Sequence, residues 1–377
     1  MALTDQDYID AIKEHGTQRK AADALGVNRR TLERRMKRIA RKGYSPQHDM
    51  THTVPDGFKV KGVSSLYNKD GVLSAQWVKS SEDRDRQYEL MQEAVAALSE
   101  DIPRATIAPL PPLGNDQLLN VYTITDYHLG MLAWEPETGA DWDTDIAERM
   151  LVDWFSHSIS QAPDAASCVF AQLGDFMHFD GLDSVTPSSG HILDADTRFT
   201  RLVRVAIRVT ARVIDMLLSK YQTVYVLMAE GNHDLASSCW LRELTAARYE
   251  NEPRVMVETR PDPYYCYEHG LTSLFWHHGH KHRMAGIDAV FAAKFREVFG
   301  RTKHSYAHMG HLHHRDLKET NLMIVEQHRT LAAPDAYASR GGWMSGRSST
   351  VITYHREYGE VGRITVSPEM LRLSDER

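Results

Sequence analysis

From residue 118 onward, the chain alternates between short apolar runs and longer segments with helical spacing. The runs LLNVYTI, SCVFAQL, TVYVLMA, TSLFW and HSYAHM have the length and the β-branched or aromatic content of buried strands. Between them, segments such as TRFTRLVRVAIRVTARVIDMLLSKY place apolar residues at three- and four-residue intervals. Strands that alternate with helices in this way predict an α/β fold.

Each of the five predicted strands ends in residues that can bind metal ions. In chain order these residues are Asp126 and His128, Asp175, Asn232 and His233, His278, and His311 and His313. Open α/β sheets collect their sites at the C-terminal ends of strands. We therefore expect these side chains to meet at one edge of the molecule.

The strand ends resemble, in order, the five motifs of the calcineurin-like metallophosphoesterases. The motifs are D-x-H at Asp126 and His128, G-D at Gly174 and Asp175, G-N-H-D at Gly231 to Asp234, H-G at His278 and Gly279, and G-H-x-H at Gly310 to His313. The resemblance covers about residues 118–335. It implies an α/β sandwich of two sheets flanked by helices.

The same resemblance implies a centre that holds two divalent metal ions. One ion would be held by Asp126, His128, Asp175 and His313, and the other by Asp175, Asn232, His278 and His311. Asp175 would then bridge the two ions. Carboxylate, amide and imidazole ligands favour manganese, with Mg²⁺, Zn²⁺ or Fe²⁺ as alternatives. Because Leu312 separates His311 from His313, an extended backbone would direct both imidazoles to the same side.

The chemistry of phosphodiester hydrolysis explains why these types of residue occur together. The reaction needs a hydroxide nucleophile and neutralisation of the phosphoryl oxygens, which two ions about 3.5–4 Å apart supply. His233 matches the family residue that protonates the leaving oxygen, a role that suits imidazole near pH 7. His178 stands where the double-strand-break-repair nuclease branch has a histidine that positions the phosphodiester. Asp234 either orients the loop or caps a turn, and exonuclease and endonuclease modes both stay open.

The first 43 residues predict three short helices. The segment TDQDYIDAIKEHG stops at Gly16, and QRKAADALG stops at Gly26. Asn28 can cap the third helix, RRTLERRMKRIARK. Between Thr17 and Lys42 the chain has ten Lys or Arg residues and two acids, so this segment carries +8 although the whole chain carries −7. Such a concentrated basic block favours contact with a polyanion.

This N-terminal segment resembles a helix-turn-helix DNA-binding domain of the Fis-like or resolvase-like kind. The features that match are the small Ala22, Gly26 in the tight turn and the apolar Val27 after it. The resemblance implies that the third helix enters the major groove and that DNA is the partner. The implied DNA-binding residues are Asn28, Arg29, Arg30 and Arg34. The alternative is a solvated basic helical hairpin that packs on another protein.

These segments predict how the chain divides into domains. We predict a helix-turn-helix domain at 1–43, a linker with a β-hairpin and an amphipathic helix at 44–117, and a catalytic domain with a C-terminal β extension at 118–377. The amphipathic helix is expected from Glu82 to Ser99. No apolar run approaches 18 residues, the N-terminus lacks a secretory pattern, and the three cysteines are widely spaced. We therefore expect a cytoplasmic protein without a membrane partner.

Together these patterns favour a metal-dependent phosphodiesterase that cuts DNA and is directed to it by the N-terminal domain. The architecture resembles helix-turn-helix phosphoesterase proteins of tailed bacteriophages, for which the compartment would be the bacterial host cytoplasm. Two alternatives stay open. One is a nucleotide or small-molecule phosphoesterase whose helical domain mediates assembly. The other is a DNA-binding regulator with an inactive phosphoesterase shell, although all seven expected ligands are present.

Overall fold

A computed structural model describes residues 3–41, 58–67, 73–82, 86, 103–187 and 189–371. The chain divides into two units, Met1–Ala97 and Leu98–Arg377. The helix expected from Glu82 to Ser99 lies outside the described residues apart from Glu82 and Arg86. The domain bounds at residues 43 and 117 stay predictions.

Three helices form the described start of the first unit. They are α1 (Asp5–His15), α2 (Gln18–Ala24) and α3 (Arg29–Arg41). Gly16 and Gly26 have φ angles of 68° and 67°, a left-handed conformation that glycine adopts without steric cost, and they end the first two helices where the sequence predicts. The Asn28 side chain accepts a hydrogen bond of 2.8 Å from the backbone N–H of Arg30 and caps α3.

The helices pack around a small apolar core. The buried residues of this core are Tyr8, Ile9, Ala11, Ala21, Ala22, Leu32 and Ile39. Ala22 is almost fully buried, as expected for a small residue where two helices cross. The predicted small all-α domain at the N-terminus is confirmed.

A β-hairpin also belongs to the first unit. Strands β1 (Phe58–Tyr67) and β2 (Leu73–Glu82) pair antiparallel, from Phe58 opposite Glu82 to Tyr67 opposite Leu73. The sequence predicts a β-hairpin within residues 44–117, and these two strands form one.

The second unit contains two sheets. The six strands of the first sheet are β3 (Asn115–Ile124), β4 (Ala165–Gln172), β5 (Thr223–Met228), β6 (Val255–Val257), β12 (Ser349–His355) and β13 (Gly359–Val366). Their spatial order is β13-β12-β3-β4-β5-β6. Strands β3 to β6 are parallel, whereas β12 pairs antiparallel with both β3 and β13.

The second sheet has five strands in the order β10-β11-β9-β8-β7. They are β7 (Tyr265–His269), β8 (Thr272–His277), β9 (His304–Met309), β10 (Asp316–Glu319) and β11 (Ile324–Gln327). The central strands β8, β9 and β11 are parallel, and the two edge strands are antiparallel to their neighbours.

Several helices complete the second unit. They are α4 (Glu135–Thr138), α5 (Thr144–Gln161), α6 (Phe199–Leu218), α7 (Leu235–Arg248), α8 (Ile287–Lys294), α9 (Arg296–Arg301) and α10 (Ala336–Gly341), with a 3₁₀ helix at Pro368–Met370. None of the helices in the described parts of the chain has the length and apolar character needed to span a bilayer.

Successive side chains along a strand point to opposite faces of its sheet, and this produces the layers of the second unit. Leu119 and Val121 of β3 belong to the same buried cluster as Leu274 and Trp276 of β8, so these side chains fill the space between the sheets. On the outer face of β3, Tyr122 stacks on Phe155 of α5 at a centroid distance of 5.6 Å.

On the second sheet, Phe275 of β8 faces outward and stacks on Phe291 of α8 at 5.1 Å. The result is a helix-sheet-sheet-helix arrangement. This confirms the predicted α/β fold of two sheets flanked by helices.

Candidate metal centre

The centre forms where five loops meet at the C-terminal ends of β3, β4, β5, β8 and β9. Backbone hydrogen bonds join these loops in pairs. The N–H of Asp126 donates to Gly174 O and that of His128 donates to Asp175 O, both at 3.0 Å. The N–H of Gly310 donates to His278 O at 2.8 Å. The loops are therefore held together before any ion binds.

Two groups of side chains place their ligand atoms within 4.8 Å of one another. One group is Asp126, Asp175, His278 and His311, and the other is Asp126, His128 and His313. His311 and His313 thus fall in different groups, in keeping with the sequence-based expectation that each serves a different ion. Asp126 belongs to both groups, whereas the expected bridge, Asp175, belongs to the first.

The donor atoms of the two groups lie close to one another. Asp126 Oδ1 lies 3.2 Å from His313 Nε2 and 3.9 Å from His278 Nε2, and His278 Nε2 lies 3.2 Å from Asp175 Oδ2. Within the described parts of the chain, Asp126 Oδ1, His278 Nε2 and Asn232 Oδ1 are buried and accept or donate no hydrogen bond of good geometry. Buried polar atoms normally have partners. Oxygen and imidazole donors that converge in this way fit divalent metal ions.

Backbone strain is concentrated at the expected ligands. Among the described residues, five that are not glycine have positive φ: Asp126 (50°), His128 (47°), Asp175 (50°), His311 (75°) and His313 (55°). The extended backbone that the sequence predicts from His311 to His313 is therefore wrong. The left-handed turns are what separate the two imidazoles into different groups.

Three hydrogen bonds hold Asp126 in this conformation. Its Oδ2 accepts from the hydroxyl of Thr125 at 2.6 Å and from the backbone N–H of His311 at 2.8 Å. Its backbone carbonyl accepts from the hydroxyl of Thr330 at 2.7 Å. Burial favours the neutral acid, but the attraction of His313 and His278 outweighs burial and holds the pKa of Asp126 below its ordinary value.

Asp175 and His278 are similarly fixed. The backbone N–H of His233 donates to Asp175 Oδ1 at 2.8 Å. His278 Nδ1 donates to the carbonyl of Leu173 at 2.8 Å, which leaves Nε2 directed at Asp175. Burial favours the neutral ring, but the carboxylates of Asp175 and Asp126 raise the pKa of His278 to about 10.

Two glycines of the motifs lie so close to neighbouring side chains that no larger residue would fit. A Cβ atom at Gly231 would overlap the Asp175 carboxylate, and one at Gly310 would overlap the hydroxyl of Thr125. Any side chain at these positions would push a ligand loop away from the centre.

A third group contains the two histidines expected to act on substrate. His178 and His233 gather with His128, again with ligand atoms within 4.8 Å. His233 Nδ1 donates to the carbonyl of His178 at 2.8 Å, so its Nε2 stays available for other contacts. His178 is buried, and its Nδ1 lies 3.3 Å from His128 Nδ1. Burial lowers the pKa of His178 to about 3, so its imidazole is neutral at pH 7.

Asp234 joins two of the motif loops. Its carboxylate accepts hydrogen bonds from the backbone N–H groups of Asp175, Phe176, Met177 and Gly231, at 2.7–3.2 Å. Of the two roles left open by the sequence, the structure supports orientation of the loops. Burial and the charges of Asp175 and Asp180 raise the pKa of Asp234.

Asp180 takes over the capping role at the start of α7. Its two carboxylate oxygens accept from the backbone N–H groups of Ala236 and Ser237, both at 2.6 Å. The sequence analysis did not single out Asp180, because nothing in the local pattern separates this aspartate from a surface residue.

A further buried group, His308, Glu326 and His328, lies beside the inter-sheet core. Glu326 binds the guanidinium of Arg363 through both oxygens, at 2.5 and 2.7 Å, and Arg315 lies 3.3 Å away. The Glu326 carboxylate is therefore already paired with two guanidinium groups. His308 Nδ1 and His328 Nε2 share a hydrogen bond of 2.9 Å, so the group is a closed polar network.

In the first unit, the four expected DNA-binding residues lie at the start of α3. Asn28 is used as the helix cap. Arg29 pairs with Glu33 at 2.8 Å, and both side chains are exposed. Arg30 and Arg34 are exposed as well. Phosphate contacts are thus sterically open to all three arginines.

Comparison with known proteins gives different results for the two units. Residues 9–38 match the family described as bacterial regulatory protein, Fis family. The N-terminal unit is similar to a Fis-type helix-turn-helix. This agrees with the resemblance seen in the sequence. A search of curated proteins finds no match to the chain.

Three solved structures match part of the chain. A dimetal phosphatase from Danio rerio is 10% identical, with a TM-score of 0.33, over 66% of this chain and 98% of that chain. Vps29 from Entamoeba histolytica complexed with zinc is 11% identical, with a TM-score of 0.27, over 66% and 98%. A 5'-nucleotidase from Candida albicans SC5314 is 11% identical, with a TM-score of 0.36, over 73% and 56%.

Proposed function

We propose that the chain is a two-metal-dependent phosphodiesterase that hydrolyses DNA and is directed to it by its N-terminal helix-turn-helix. The observation that carries the proposal is the convergence of side-chain donor atoms from Asp126, Asp175, His278 and His313 at one edge of the sheets. Two of these atoms, Asp126 Oδ1 and His278 Nε2, are buried without a hydrogen-bond partner among the described residues. Four separate loops contribute these residues, and a fifth, after β5, contributes the buried Asn232 Oδ1. A fold has no structural need to gather so many polar groups at one buried point.

The proposed ligands form two sets. Asp126, His128, Asp175 and His313 would hold one ion, and Asp175, Asn232, His278 and His311 the other. When bound, two divalent ions activate water and neutralise the phosphoryl oxygens. We propose manganese as the best activator, because the set mixes carboxylate, amide and imidazole donors. The shared position of Asp126 makes it a second candidate for the bridging ligand, beside Asp175.

His233 and His178 would act on the substrate. The bond from His233 Nδ1 to the carbonyl of His178 fixes the ring and leaves Nε2 as the proton donor. From Nε2 a proton would pass to the leaving oxygen as its bond to phosphorus breaks. His178, neutral and buried, would position the phosphodiester through its Nε2, which makes no hydrogen bond in the described parts of the chain.

DNA is proposed as the substrate because of the first unit. Its similarity to Fis-family regulators covers residues 9–38, and α3 exposes Arg30 and Arg34. Helix-turn-helix domains place such a helix in the major groove. A DNA substrate would place the protein in a bacterial cytoplasm, which would be that of the host if a phage encodes it.

The test is a substrate screen with the full chain. Plasmid, single-stranded DNA and bis-p-nitrophenyl phosphate are offered with Mn²⁺, Mg²⁺, Zn²⁺ or Fe²⁺, and Asp175→Asn serves as the inactive control. We expect hydrolysis of the small diester and of DNA, fastest with Mn²⁺. Hydrolysis of the small diester alone would favour the small-molecule alternative. A protein that binds metal and cuts nothing would be a regulator with an inactive shell.

A further inference from the structure

Several large aromatic side chains lie exposed to solvent on the second unit. The exposed fractions are 64% for Trp134, 71% for Tyr337 and 58% for Trp343. The rings of Tyr337 and Trp343 contact each other edge to face, with centroids 5.1 Å apart. Exposed aromatic residues that lie together on a surface commonly mark a binding site.

Strand register places these rings at the edge that carries the metal ligands. Thr350 of β12 pairs with Thr123 of β3, only three residues before Asp126. The segment that carries Tyr337 and Trp343 leads directly into this end of β12. Residues 336–348 therefore lie on the ligand side of the sheet.

Hydrogen bonds bring Trp134 to the same surface. Trp134 precedes α4, six residues after His128. The hydroxyl of Ser339 in α10 donates to the carbonyl of Glu137 in α4 at 2.7 Å, and Arg340 pairs with the Glu137 carboxylate at 2.9 Å. The two short helices thus form one surface.

We propose that Trp134, Tyr337 and Trp343 form a stacking surface for unpaired bases next to the scissile phosphodiester of single-stranded DNA. The proposal rests on the phosphodiesterase function and names its substrate more closely. Bases stack on aromatic rings whatever their sequence, provided that the bases are unpaired.

Both signs of charge occur on this surface, since Arg340 pairs with Glu137 and the Arg347 Nε–H donates to the carbonyl of Leu331, and the charge nearest to Trp134 is negative. Glu135 and Glu137 adjoin Trp134, and only Glu137 is paired with an arginine in the described contacts. Carboxylates beside the rings repel phosphate but not an uncharged base. The phosphodiester would then lie toward the metal centre while the flanking bases lie on the rings.

The decisive experiment compares a single-stranded oligonucleotide with bis-p-nitrophenyl phosphate. In Tyr337→Ala and Trp343→Ala, we expect KM for the oligonucleotide to rise about 5- to 100-fold, the range for loss of one stacked base. Hydrolysis of the small diester should stay within about twofold of wild type. Trp343→Phe keeps a ring and should recover most of the loss.

The matched control is Tyr358→Ala. Tyr358 is 66% exposed and stacks on His355, but it follows the far end of β12, where His355 pairs with Leu118. This variant removes an equally exposed ring away from the metal ligands. It should leave KM for the oligonucleotide unchanged.

A binding measurement separates this proposal from the phosphodiesterase function. Fluorescence anisotropy of a labelled dT oligonucleotide in EDTA reports affinity without catalysis. If wild type binds, Tyr337→Ala and Trp343→Ala weaken binding and Tyr358→Ala does not, the stacking surface stands even if no substrate is cut. Equal affinities and equal KM values in all variants would overturn it and assign the exposed rings to a protein partner.

Discussion

The hydroxyl of Thr330 donates a hydrogen bond of 2.7 Å to the backbone carbonyl of Asp126, 204 residues earlier in the chain. The same hydroxyl oxygen accepts from the backbone N–H of Ala332 at 2.9 Å. Asp126 has a φ of 50° and lies in both groups of candidate ligands. Thr330 therefore stabilises the strained backbone on which both groups depend.

Thr330→Val should weaken metal binding without changing any ligand. Valine matches the shape of threonine but leaves the buried carbonyl of Asp126 unpaired, which costs about 1–3 kcal/mol. Loss of such outer support typically lowers metal affinity about 10- to 100-fold. Isothermal titration with Mn²⁺ measures the effect. Thr330→Ser keeps the hydroxyl and should bind nearly as wild type, and an unchanged Kd in the folded valine variant would contradict this role.

Asp126→Asn and Asp175→Asn should each remove most bound metal and most activity. Each substitution removes a negative charge from a buried site where His278 lies near both carboxylates. Elemental analysis of the purified variants gives the number of ions per chain. Asp183→Asn, at an exposed position of the same unit, should keep both ions. Full metal content and a wild-type rate in Asp175→Asn would show that the ligand assignment is wrong.

His233→Ala should separate chemistry from metal binding. The ring contacts the centre through its bond to the carbonyl of His178, and only its backbone N–H bonds to Asp175. We expect both ions to be retained while kcat falls about 10²- to 10⁴-fold, the usual range for a general acid. A parallel loss of metal would instead make His233 a ligand or a fold residue.

Replacement of Arg29, Arg30 and Arg34 by alanine should impair DNA binding alone. The three side chains are exposed on the first unit, whereas every candidate ligand belongs to the second. Each lost phosphate contact should flatten the log–log salt dependence of duplex affinity by about 0.9. Hydrolysis of bis-p-nitrophenyl phosphate should stay normal. Unchanged duplex affinity and salt slope would favour an assembly role for the N-terminal unit.

Because His308 is buried as a neutral ring, we expect the free energy of unfolding to depend on pH. Burial lowers the pKa of His308 to about 3, and burial also lowers the pKa of His328. An unfolded chain would protonate both near pH 6.5, so protons favour unfolding below that value. The stabilisation from neutral His308 is thus complete above pH 6.5 and is lost progressively down to about pH 3.

Urea denaturation in EDTA, repeated between pH 7 and pH 4.5, measures this loss. The free energy of unfolding should fall with decreasing pH, and it should fall less steeply in His308→Gln. His191→Gln, at an exposed histidine, should keep the wild-type slope. Identical slopes in wild type and His308→Gln would remove His308 from this explanation.

The sequence predicts the strand-end residues well because each motif is short and continuous. Apolar runs followed by Asp126 or His278 are visible in a window of about ten residues. The partners that orient them are not visible in this way. Thr330 bonds to a backbone atom, and Asp234 accepts from a loop almost 60 residues away, so neither contact leaves a local pattern.

The backbone conformation at the ligand residues was not predicted from the sequence, and there is a physical reason for this. Aspartate and histidine enter the left-handed region more often than most residues with a Cβ, but they usually lie in extended or helical backbone, so their identity alone does not mark Asp126, His311 or His313 as left-handed. Their positive φ angles come from tertiary hydrogen bonds, such as that from the N–H of His311 to Asp126. An extended segment was therefore the natural, and wrong, expectation for His311 to His313.

The five non-glycine residues with positive φ carry candidate ligands on a strained backbone. A left-handed conformation at a residue with a Cβ costs on the order of 1 kcal/mol, and glycine would remove that cost. Substitution by glycine at Asp126, His128, Asp175, His311 or His313 would therefore relax the backbone while deleting a ligand. At Asp126, glycine would also leave the hydroxyl of Thr125 and the backbone N–H of His311 without their acceptor, so the loss of two hydrogen bonds opposes the relief of backbone strain.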